Sequence, residues 1–251
     1  MPHTVQLDHD GPFDVYLASP PEGMPVKGGL IVIHEIWGAV DQIRSVADRF
    51  AAEGWLVAAP DILSRAGMQP DLGEELLAIM AGDDDAKKSE VQPRMREAAS
   101  PMRSPEYAAW AVGALQSVLD FLDEQPGCRG HLAVTGFCFG GTYSFALAAA
   151  DPRVTAAIPF YGAPPEESDV DLIEAPVLAF YGDQDERLIT GLPDVTRAME
   201  EAGVDFTPVV YENTGHAFFN DQNPHAYNAG YAARAWDATL HFLEEHTVKA
   251  D

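Results

Sequence analysis

Gly136-Phe137-Cys138-Phe139-Gly140-Gly141 carries the strongest structural instruction in this chain. The apolar run before it, residues 131–136 (HLAVTG), predicts a strand, and residues 140–150 (GGTYSFALAAA) predict a helix. Small residues two before and two after a nucleophile, at a strand-to-helix junction, make a nucleophile elbow. Side chains at 136 and 140 would clash in so tight a turn, and the residue at its apex takes a strained backbone. Cys138 stands at that apex, where Ser is common. The N-terminus of the following helix puts partial positive charge beside the sulfur, which favours a thiolate. Most free cysteines are small buried hydrophobes; the flanking glycines at this junction favour a nucleophile instead. They do not form a dinucleotide loop, because the middle position that must be Gly for a pyrophosphate is Cys138.

Outward from the elbow, short apolar runs alternate with helical patterns, as in a mostly parallel sheet. Residues 28–34 (GGLIVIH) are nearly all apolar, as a strand buried on both faces requires. Residues 55–59 (WLVAA), 154–161 (VTAAIPFY), 176–181 (PVLAFY) and 206–211 (FTPVVY) predict further strands, and 13–18 (FDVYLA) an early edge strand. Helices are predicted at 41–53, 105–124, 190–202 and 226–246. Segment 61–104 reads as irregular, with short helical pieces around 72–81, and as an excursion over the carboxyl edge of the sheet. These elements form one doubly wound domain spanning residues 1–251.

Composition narrows the function. The net charge of −25, from 40 acidic and 15 basic residues, repels nucleic acid and anionic membranes. Such a surface serves simple solubility or a high-salt cytoplasm, and charge alone does not separate the two. No apolar stretch is long enough for a transmembrane helix, and the first 20 residues lack a signal-peptide pattern. The two cysteines, Cys128 and Cys138, fit neither a disulfide framework nor a metal pair. A cytoplasmic protein without metal or organic cofactor is expected, as a monomer or weak homodimer acting on a small molecule.

Three further motifs lie at predicted strand ends. Gly182-Asp183-Gln184-Asp185 offers two candidate acids to orient a histidine. Asn213-Thr214-Gly215-His216 follows the last strand. Of eight histidines, only His216 comes third in the order nucleophile, acid, base. His34-Glu35-Ile36-Trp37-Gly38 follows the first long buried strand. The loop there supplies one oxyanion-hole N–H, assigned to Ile36, and Phe139 after the nucleophile supplies the other. Trp37, Phe137, Phe139, Tyr161, Phe218 and Phe219 suggest an aromatic-lined pocket.

Together with Pro60-Asp61-Ile62-Leu63-Ser64-Arg65 and Gly215-His216-Ala217-Phe218, these motifs resemble the dienelactone hydrolases (carboxymethylenebutenolidases) over residues 12–246. The resemblance implies a single-domain α/β-hydrolase fold with helices on both faces of the sheet. It implies a Cys138–His216–Asp185 triad that cleaves a lactone or ester through a thioester. It favours Asp185 over Asp183, since a Gly-x-x-Asp turn is the usual placement. It implies that Glu35 contacts the resting thiol and helps switch it to thiolate. In the best-known members two arginines bind a substrate carboxylate. One stands four residues after the catalytic His, where this chain has Asn220. The other falls within 61–104, where Arg94 and Arg96 are candidates, with Arg65 and Arg103 also possible. A non-catalytic ligand-binding relative and an acyltransferase are the competing readings.

Overall fold

The computed structural model describes residues 2–165 and 167–247; the remaining positions of the expected 1–251 domain lie outside the described residues. In chain order the elements are β1 (His3–Asp8), β2 (Pro12–Ala18), β3 (Gly28–Ile33), α1 (Asp41–Ala52), β4 (Trp55–Pro60), α2 (Pro70–Ala81), α3 (Asp85–Ala99), α4 (Pro105–Asp123), β5 (Leu132–Phe137), α5 (Phe139–Ala150), β6 (Val154–Phe160), α6 (Glu167–Val170), β7 (Val177–Gly182), α7 (Glu186–Ile189), α8 (Leu192–Ala202), β8 (Phe206–Tyr211) and α9 (Ala229–Thr247).

Among the described residues eight strands join one sheet in the order β1-β2-β4-β3-β5-β6-β7-β8. The strands from β4 to β8 in that order run parallel, while β1 and β2 are antiparallel to their neighbours. Every residue of β3, β5 and β7 is buried. That burial explains their largely apolar runs, because helices cover both faces. Phe50 of α1 meets Trp236 of α9 at 4.3 Å between ring centroids, and α4 packs against α5.

Two expectations change. The strand at 13–18 is not at the edge: β1 pairs outside it, from His3↔Leu17 to Asp8↔Pro12. β1 alternates polar and apolar residues and its apolar face is only half-buried, so its apolar signal is thin. Segment 61–104 is more regular than expected, because residues 85–99 form α3. Only Val91 of that helix is buried, and Pro93 lies inside it. Little periodicity therefore marks it in sequence. Its start is capped by Asp84, whose carboxylate accepts the N–H groups of Ala86 and Lys87.

The topology positions the site. The chain leaves β3 toward β4 on one side, then crosses back to β5 on the other. A crevice forms at such a reversal, at the carboxyl ends of the strands. Glu35, Cys138, Tyr161, Asp185 and His216 follow β3, β5, β6, β7 and β8, five consecutive strands of the sheet.

Candidate active site

Cys138 sits between β5 and α5 with φ 55° and ψ −110°. Few L-residues adopt this backbone, and it costs on the order of 1–3 kcal/mol unless the surroundings impose it. The glycines on either side impose it. A Cβ at Gly136 would lie 2.2 Å from the Gly140 carbonyl oxygen, and one at Gly140 would lie 2.3 Å from the Ile33 oxygen. The elbow is thus wedged between its own helix and β3. Thr142 and Cys138 begin the α5 ladder, with the Thr142 N–H donating to the Cys138 carbonyl at 3.2 Å.

His216 Nδ1 lies 2.5 Å from Asp185 Oδ2. The carboxylate is largely buried and the imidazole about one-third exposed. Asp183 has a different task. Its Oδ1 accepts the Thr214 N–H at 3.1 Å, and the Gln184 N–H donates to the Thr214 carbonyl at 3.0 Å. Asp183 and Gln184 therefore clamp the loop that presents His216, while Asp185 holds the ring. The Tyr161 ring packs beside His216, 5.0 Å between centroids.

Glu35 is the most constrained charge in the site, 4% exposed. Tyr161 Oη donates to its Oε1 at 3.1 Å, and Asn220 Nδ2 donates to its Oε2 at 2.7 Å. Burial raises the Glu35 pKa. The bonds from Asn220 and Tyr161, the nearby His216 and a side-chain bond from Trp37 pull the other way. Burial followed by Glu35 also pushes the Tyr161 phenol well above its ordinary range, so it remains a donor.

The same surroundings act on the thiol. Burial, then the Glu35 charge, pushes Cys138 up to about 12; the Phe139 N–H and the Arg187 guanidinium oppose them. The helix N-terminus acts in the direction expected from sequence, but desolvation and a like charge outweigh it. Burial and the Glu35 charge thus favour the thiol form of the resting sulfur. No hydrogen bond joins Cys138 Sγ to His216 among the described residues. Arg187, two residues past Asp185, was not singled out in sequence, where nothing separates it from a solvated arginine.

The other candidates divide. Trp37 and Phe139 are half-buried at the site, and the N–H groups of Ile36 and Phe139 have no backbone acceptor among the described residues. Phe218 is fully buried and packs edge-on against Tyr161 and Tyr211. Phe137, Tyr161 and Phe219 are also buried and pack against Phe160 in the core, Tyr161 edge-on and the other two tilted. The aromatic set is thus mainly a floor beneath the site. Asn220 turns inward to Glu35. Arg94 is exposed and pairs with Glu75 of α2 at 2.9 Å, and exposed Arg96 bonds the Gln92 carbonyl of its own helix. Arg65 donates to the Asp10 carbonyl and lies over Trp110. Among the described residues, no group of three or more His, Cys, Asp or Glu side chains is disposed to hold a metal. No helix there is long and apolar enough to cross a membrane.

The family model of the dienelactone hydrolase family matches residues 13–247. This chain belongs to that family. Protein usf of Aquifex pyrophilus is 30% identical over 241 residues, covering 92% of each chain. A Saccharolobus solfataricus protein named "Putative carboxymethylenebutenolidase" is 28% identical over 97% of this chain and 98% of its own. Among solved structures, the "Putative Dienelactone Hydrolase" of Klebsiella pneumoniae subsp. pneumoniae superposes with a TM-score of 0.80. It is 24% identical, over 98% of both chains. The dienelactone hydrolase fold thus accounts for the strand order, and the chain is a hydrolase of the dienelactone-hydrolase type.

Proposed function

We propose that this dienelactone-hydrolase relative cleaves a lactone or small carboxylic ester with Cys138 as nucleophile, by way of a thioester. The observation that carries the proposal is the Asp185–His216 bond of 2.5 Å, beside an elbow that presents Cys138. His216 takes the thiol proton, and the sulfur attacks the carbonyl carbon. The resulting oxyanion is received by the N–H groups of Ile36 and Phe139, a contribution typically worth on the order of a hundredfold in rate per donor. The intermediate collapses by breaking the bond to the leaving oxygen, which takes the proton from His216. His216 then removes a proton from water as the water attacks the thioester. The acid is released, and the proton returns to sulfur. Asp185 holds the Nδ1–H of His216 throughout and stabilises the imidazolium.

Glu35 keeps the thiol protonated until a substrate carbonyl enters the hole. A thiol at rest is protected from oxidants and alkylating agents, because the thiolate is the reactive form. The substrate is an uncharged ester or lactone, because the position of the family's carboxylate clamp is held by a neutral Asn220 bonded to Glu35.

The test is hydrolysis of short aryl esters and lactones, with and without a carboxylate, by wild type and Cys138→Ala. Intact-protein mass should show an acyl adduct on wild type and none on the variant. Undiminished hydrolysis by purified Cys138→Ala would overturn the mechanism, and a strong preference for the carboxylated esters would overturn the substrate class.

A further inference from the structure

We infer that His34 is a positioning residue for the oxyanion hole, holding both of its N–H donors from a single buried imidazole. The inference rests on the assignment of the hole to Ile36 and Phe139. His34 directly follows β3 and is 1% exposed. Its Nε2 receives the Ile62 N–H at 3.3 Å. A backbone N–H can only donate, so Nε2 must be the acceptor and Nδ1 must carry the proton. Nδ1–H then donates to the Glu35 carbonyl at 2.8 Å.

That carbonyl belongs to the same peptide unit as the Ile36 N–H. A trans peptide is planar, with its C=O and N–H pointing to opposite sides. Fixing one fixes the other. The Glu35 carbonyl also accepts the Gly38 N–H at 3.2 Å, closing the turn over residues 35–38. Two donors on one oxygen leave the peptide plane no free rotation. The second half of the hole is held through the ring face: the imidazole lies 5.7 Å from the Phe139 ring, with the planes 4° apart. Phe139 supplies the other N–H.

The lock is anchored in α4, whose Tyr107 ring also lies 6.5 Å from the Phe139 ring. Tyr107 of α4 donates from its hydroxyl to the Ile62 carbonyl at 2.9 Å. The path runs from Tyr107 through residue 62 to His34, and from His34 to both donors. His34 itself touches no reacting atom, since both its nitrogens are engaged by backbone. Preorganised donors stabilise an oxyanion without reorganising at the moment of reaction. A donor freed to rotate loses part of that benefit.

The experiment compares His34→Asn, which can place an amide N–H where Nδ1 stands, with His34→Leu, which cannot. Each is assayed for ester hydrolysis, for alkylation of Cys138 by iodoacetamide, and for binding of a short-chain aldehyde, whose hemithioacetal oxygen occupies the hole. His34→Leu should lower kcat on the order of a hundredfold with KM little changed. Aldehyde affinity should fall with it, while the alkylation rate, which needs no hole, stays at the wild-type value. His34→Asn should recover most of the kcat and of the aldehyde affinity. Should His34→Leu fail to fold, His34→Gln replaces it, because its longer amide reaches the Nε2 position instead; it should fall below His34→Asn. Equal kcat for wild type and His34→Leu would overturn the inference, as would an Asn variant as impaired as Leu or Gln. Wild type without esterase activity would instead refute the proposed function itself.

Discussion

Replacing Asn220 with Leu should raise the pH at which Glu35 titrates and, with it, loosen the restraint on Cys138. Asn220 Nδ2 donates to Glu35 Oε2 at 2.7 Å, and the two residues are 1% and 4% exposed. A buried hydrogen bond to a charged group is worth about 1.5–3 kcal/mol. Its loss moves the Glu35 pKa further up, because the charged form loses a donor. Burial already holds that pKa above its ordinary value of 4.5, so the folded state binds this proton more tightly than the unfolded chain does. The stability associated with Glu35 is therefore fully present below the unfolded value and falls as pH rises toward the folded one. In Asn220→Leu the fall continues to higher pH than in wild type. The variant also loses the Gln222 N–H bond to Asn220 Oδ1, 3.0 Å, which adds a deficit independent of pH. Urea unfolding from pH 4 to pH 9 should thus show a small constant deficit at the acid end and a larger one at the alkaline end. Iodoacetamide labelling at a fixed pH near 8 reads the same change at sulfur. A Glu35 that is protonated more often raises the thiol less, so Cys138 should label faster, about tenfold for each unit by which its pKa falls. Cys128 is fully buried and contributes little background. A stability deficit that stays flat across the pH range, with labelling unchanged, would refute the coupling of Asn220 to Glu35 and of Glu35 to the thiol.

In wild type, labelling of Cys138 should keep rising about tenfold per pH unit through pH 10, because the thiol titrates near 12; a plateau at pH 9 would show a thiol free of its surroundings. Asp185→Asn should lower kcat/KM by a factor between about a hundred and ten thousand while the melting temperature changes little, checked by ester kinetics and calorimetry. Gly140→Ala should destabilise the fold by about 3 kcal/mol or more, since its Cβ would sit 2.3 Å from the Ile33 oxygen; urea titration measures this, and a neutral result would mean the elbow is looser than its contacts imply.

The amino-acid sequence alone determined whatever depends on neighbours within a dozen residues. The elbow at 136–141 needs its glycines locally, and a strand buried on both faces must be largely apolar along its length, so β3, β5 and β7 were legible. Only the tertiary structure decided which groups meet. Glu35 joins Tyr161 across 126 residues and Asn220 across 185, and no periodicity records such a meeting. Sequence showed two aspartates after β7; the fold gave Asp185 to His216 and Asp183 to the loop backbone. It also turned Asn220 inward, spent Arg94 on Glu75, and set His34 against Ile62 and Phe139. The thiol's protonation follows from the same cause. A helix N-terminus is visible in sequence, but desolvation and a facing carboxylate exist only once five strand ends have closed around the sulfur.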